Sequence, residues 1–188
     1  MPIAKLTDAQ ILQTYTTGTT LSPAGFDSAR ILRLDNGRMA ITWDTVINGT
    51  SEAINIATLD PLGKSKSPII VADTVPASKY LEQPKMAPTA TGGFVTVWNT
   101  DDDTVSSPTS GDVFARTFST YGAASAAKYA LSTAPAGGEY TPSITRLGGG
   151  SFLSVWSDTR ATSGFTTSTD IVGRIVDASG KAVGGEIL

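Results

Sequence analysis

Three tryptophans, Trp43, Trp98 and Trp156, lie 55 and 58 residues apart in the 188-residue chain, and each closes the same local pattern. A short apolar run leads into each one: Met39–Trp43, Phe94–Trp98 and Phe152–Trp156. A glycine stands six residues ahead of each tryptophan, at Gly37, Gly92 and Gly150. Before that glycine lies another strand-like segment: Arg30–Leu34, Met86–Thr91 and Pro142–Leu147. Two strand-like runs joined by Asn-Gly or Gly-Gly read as a β-hairpin. A unit repeated at this spacing cannot bury its apolar face alone, so it must stack on its neighbours.

The pattern continues past the tryptophan. An acid opens a third strand: Asp112 and Asp170, each 14 residues after its tryptophan, and Glu52 at 9. A turn follows, ending at Gly63, Gly122 and Gly180. A fourth strand is then expected at Pro68–Ala72, Lys128–Ser132 and Gly185–Leu188. The spacing thus predicts an all-β single domain of three four-stranded antiparallel blades, β-propeller-like. Repeat one spans 26–83, repeat two 84–140 and repeat three 141–188. A further strand at Ala9–Thr14 is expected within an N-terminal segment, 1–25. A β-trefoil also builds three four-stranded units in this length and is the alternative. Its hairpins cap a barrel, and so rarely carry a strand apolar on both faces such as Phe94–Trp98.

Composition agrees and excludes. With 27 Thr, 19 Ser, 19 Gly and 10 Pro, the chain favours pleated strands and turns. It has no His and no Cys, which removes disulfides, His or Cys metal sites, His-dependent triads and Cys nucleophiles. The net charge of −3 shows no basic stripe, so no nucleic acid is expected as a partner. No apolar stretch is long enough for membrane insertion. The start, Met-Pro-Ile-Ala-Lys-Leu-Thr-Asp-Ala-Gln, has no basic segment followed by an apolar one, so no classical signal peptide is expected.

Gly92-Gly-Phe-Val-Thr-Val-Trp98, Asp112-Val-Phe-Ala-Arg116 and Asp177-Ala-Ser-Gly-Lys-Ala-Val-Gly-Gly-Glu186 resemble the Gly-Gly-Phe-Val-Val-Val-Trp repeats of large secreted bacterial adhesin-like proteins. Those repeats, about 50 residues long, accompany RTX-type calcium repeats. The resemblance covers most of 26–188. It implies propeller-like blades, adhesion or surface display, and no shared catalytic set. In that family the stretch after the tryptophan is rich in Asp and Gly; here it is rich in Ser and Thr.

Candidate ligand-binding residues follow from chemistry. Asp101, Asp102 and Asp103 form the densest acidic cluster, in the loop after Trp98. Asp112, Asp158 and Asp170 hold repeated positions and Tyr121 lies in a turn. Asp101, Asp103 and Asp112 offer oxygen ligands of the kind a hard cation such as calcium takes; no other cofactor is expected. The tryptophans are expected to pack the core rather than serve as sugar platforms.

Paired carboxylates hydrolyse glycosides only at a set separation in a cleft, and nothing in the pattern places Asp112 and Asp170 so. The expectation is therefore no enzyme but a non-catalytic binding or adhesion module that recognises a surface glycan or polymer through loops. The alternative is a spike, fibre or decoration protein of a virion or virus-like particle. Either is expected to be extracellular or particle-associated. Three blades with exposed edges predict a homo-oligomer or a place in a larger assembly.

Overall fold

The computed structural model describes residues 28–47, 51–64, 66–76, 79–101, 111–125, 127–133, 138–159 and 169–187. The strand expected at Ala9–Thr14 lies outside them. Among the described residues, twelve strands fall into three sheets of four. Blade 1 runs β1 (Arg30–Arg33), β2 (Met39–Ile47), β3 (Ser51–Leu59) and β4 (Ile70–Pro76). Blade 2 runs β5 (Leu81–Pro88), β6 (Phe94–Thr100), β7 (Asp112–Phe118) and β8 (Tyr129–Ala130). Blade 3 runs β9 (Glu139–Arg146), β10 (Phe152–Asp158), β11 (Asp170–Val176) and β12 (Ala182–Ile187). Every pairing is antiparallel between sequence neighbours. Among the described residues no strand pairs with a strand of another unit, as closing a trefoil barrel would require, so the fold is all-β and β-propeller-like.

The repeated residues explain the hairpins. Gly37 and Gly92 adopt φ of 83° and 88°, the left-handed conformation that a tight turn demands and glycine supplies without strain. Gly148–Gly150 form one turn of 3-10 helix in the equivalent place. After the third strands, Asp60 accepts from the Leu62 and Lys64 N–H groups at 3.0 and 2.8 Å. Asp177 accepts from Ser179 and Lys181 at 2.8 and 3.0 Å. These are Asx turns, in which the side chain stands in for backbone. Because the Asp177 turn is tight, β12 begins at Ala182, ahead of the expected Gly185.

Stacking buries the faces. Strand parity sends Phe94, Trp98, Phe114 and Phe118 toward blade 1, where they meet Ala40, Ile54 and Ile56. The opposite face of blade 2, with Val95, Val97, Val113 and Ala115, meets Phe152, Trp156, Val172 and Val176 of blade 3. Blade 2 lies between the other two, and all of β6 is buried. Arginines clamp the stack. Arg116 Nη1 donates to the Ala72 carbonyl of blade 1 at 2.7 Å, and Arg174 Nη1 to the Leu131 carbonyl after β8 at 2.6 Å. Lys128 bridges Asp73 at 2.8 Å, and the Trp98 indole donates to the same carboxylate at 3.2 Å. Trp98 and Trp156 are fully buried packing residues.

Candidate functional site

The first strands of the blades lie side by side, β5 packing against both β1 and β9. They begin at one end of the stack, where the second strands finish and the third strands start. This end gathers acids. Asp44 and Glu52 come from blade 1, Glu82, Asp101 and Asp112 from blade 2, and Glu139, Asp158 and Asp170 from blade 3. The register sets Glu82 across from Asn99, Asp112 from Thr100, and Asp158 from both Glu139 and Asp170. Asp112, Glu139 and Asp158 are wholly buried, as is Asn99 beside Glu82.

The opening strands are bent here. Gln83 and Thr141 have φ of 54° and 53°, the only positive values outside glycine among the described residues. Each sits before a proline, Pro84 or Pro142, in a register slip facing the repeated tryptophan. A β-branched Thr in this conformation is strained. A bulge that bends a strand and re-aims its side chains is often found beside active sites.

Glu52 reaches across to blade 2. Its Oε2 accepts the Leu81 N–H at 2.9 Å, which carries the carboxyl from the third strand of blade 1 to the start of β5. Burial pushes this carboxyl above its ordinary range. The Leu81 hydrogen bond works the other way, and the charges of Glu82, Asp44 and Asp101 add to the rise. Tyr80 exchanges backbone and carboxylate hydrogen bonds with Asp101. Its phenol is raised by burial, by Asp101 and then by the nearby Tyr140 and Glu82, against a smaller opposing effect of Lys79. Lys85 is lowered by burial and by Arg30, which places two cations beside each other on the opening strands. A carboxyl group held above its ordinary range, further carboxyl groups from all three blades and two tyrosines therefore meet at one end.

Of the residues expected from sequence, Asp101, Asp112, Asp158 and Asp170 all lie at this end. Asp102 and Asp103 lie outside the described residues. Tyr121 does not belong: it is in the turn after β7 at the opposite end, beneath the Arg38 guanidinium at 4.8 Å. The turn chemistry of Ser119-Thr-Tyr-Gly122 fixes it there, with the Tyr121 N–H donating to Ser119 Oγ at 3.3 Å. Glu52, Glu82, Glu139 and Tyr80 were missed. Pro84 and Pro142, 58 residues apart, were the available signal, since each marks the same bent position. Among the described residues, no group of three or more His, Cys, Asp or Glu is placed to hold a metal ion. No helix among them is long and apolar enough to cross a membrane.

No family model matches the sequence, and no curated protein matches it. Solved structures do match the fold. One is an α-L-arabinofuranosidase of Fusarium graminearum, a mutant in complex with an iminosugar inhibitor. The TM-score is 0.60 at 10% identity, covering 86% of this chain and 50% of that one. Another is a Fusarium graminearum α-L-arabinofuranosidase with arabinobiose, at 0.59 and 9% over the same shares. A Hadza microbial sialidase matches at 0.56 and 10%, over 79% of this chain and 35% of that one. The chain spans half the length of the first two. At these identities the likeness is one of fold: propeller-like blades that in the neighbours belong to glycosidases. This corrects the expectation of a non-catalytic adhesion module or virion component, and of no enzyme. That expectation took the acids to sit in equivalent places of separate blades; stacking in fact brings them to one end.

Proposed function

We propose that this chain processes glycans by glycoside hydrolysis, with the acid-rich end of the blades as its active site. The observation that supports it most is Glu52. Its carboxyl is held above the ordinary range and faces Glu82, Asp44 and Asp101. A carboxyl group whose surroundings raise its hold on a proton, set beside other carboxyl groups, is an arrangement that cleaves acetals. Glu52 donates its proton to the oxygen of the leaving sugar as the C–O bond breaks. Glu82, on the opening strand, stabilises positive charge at the sugar carbon. Water then supplies the hydroxyl, and its proton restores Glu52. Tyr80 and Tyr140 offer flat faces for a sugar ring. Such a polymer substrate is met outside the cell, and we place the protein there.

The test is release of sugar from arabinan and from a panel of aryl glycosides that includes a sialoside. Glu52→Gln keeps an acceptor for the Leu81 N–H but has no proton to give. It is expected to lower the rate by about 10²–10⁴-fold with the fold retained, and Glu82→Gln likewise. No turnover on any panel member, or full turnover by both variants, sinks the proposal.

A further inference from the structure

The two outer faces of the stack are not alike. On blade 1 the face away from blade 2 carries Ile41, Trp43, Ala57 and Leu59, none more than 8% exposed. On blade 3 the face away from blade 2 is open. Register puts Leu153, Val155, Ile171, Ile175, Val183 and Ile187 on it together. Ile171 is 67% exposed, Val183 49% and Ile187 51%.

The repeat shows what such a face is for. Shifted by 58 residues, Leu153, Val155 and Ile171 correspond to Val95, Val97 and Val113. In blade 2 those three are wholly buried beneath blade 3. One repeat later the same surface is apolar but uncovered, with Leu153 and Val155 half-buried and Ile171 exposed, and a contiguous apolar patch of this kind marks an interaction site.

We infer that this face pairs two copies of the chain about a two-fold axis, blade 3 against blade 3. Head-to-tail pairing would need the face of blade 1, which is already buried. That face also lacks the clamp. Arg116 and Arg174 hold the preceding blade, whereas the register places Ala57 at that point in blade 1. A two-fold contact uses one patch from both subunits and needs no second surface.

Light scattering across a dilution series is expected to give twice the 19.4 kDa chain mass. Ile171→Glu is expected to give the monomer with an unchanged circular dichroism spectrum, because the residue is exposed. Val183→Glu is expected to do the same. The chain has no cysteine, so Ile171→Cys or Val183→Cys each introduces the sole thiol. With a short bis-maleimide, each is expected to cross-link to itself in the partner. A monomer at every concentration, a dimer that survives both glutamate variants, or a dimer whose lone thiols never cross-link overturns the inference.

Discussion

Glu52 ties stability to chemistry at the scale of one side chain. Its folded-state pKa lies above the ordinary value, burial contributing most. A carboxyl raised in this way stabilises the fold fully below the ordinary carboxylate range. That contribution is lost as pH rises through the raised value. At neutral pH an uncharged Gln at this position escapes the cost. Glu52→Gln is therefore expected to raise the melting temperature at pH 7 and to match the wild type near pH 4. Melting curves across that range check it, and a variant that melts lower at pH 7 contradicts the assignment. Asp177 runs the other way. Burial works to raise it, but hydrogen bonds from Ser179 and Lys181 outweigh this and leave it below its ordinary range. Its contribution is present at neutral pH and lost on acidification. Of these two acids, Asp177 was legible, because an Asp three residues before a glycine announces its turn. The shift at Glu52 was not, since it depends on a neighbouring blade.

At the scale of elements, the hairpins show which glycines matter. A Cβ on Gly93 would stand 2.2 Å from the Phe118 carbonyl oxygen, a backbone atom of the paired strand that cannot move aside. A Cβ on Gly148 would meet nothing within 4 Å. Gly93→Ala is expected to cost about 2 kcal/mol or more, and Gly148→Ala to stay within about 0.5 kcal/mol. Urea denaturation of the two variants compares them directly, and equal losses would refute the packing of β6 on β7. The second and third strands were readable from apolar runs, glycine spacing and the acid at each third-strand start. The opening strands were only partly readable. Nothing in residue preference announces a positive φ at Gln83 or Thr141, since Thr disfavours it; only the following proline, repeated at the same place, hints at the bend. The bend is where the candidate site lies, so the least legible part of each blade is the part that bears on function.

The molecule as a whole has two unlike ends. Turns that satisfy their own backbone groups close one; carboxyl groups drawn from all three blades crowd the other. The sequence showed the repeat that stacks the blades, but acids in separate repeats looked separate until stacking joined them. The meander within each sheet bears on the order of assembly. Every strand pairs with its neighbour in sequence, so each blade can zip from its own hairpins with little loop-closure entropy. The long-range steps are the dockings between blades. Blade 2 has both faces covered, while blade 3 has one bare, so opening should start at the bare end and spread inward, as in other stacked repeats. In the Ile171→Glu monomer, amide hydrogen exchange is expected to be fastest in β12 and slowest in β6. Uniform exchange across the three sheets would show instead that the blades come apart as one unit. If the gradient is seen, the middle blade sets the lifetime of the fold, and the outer blades can be remodelled without shortening it much.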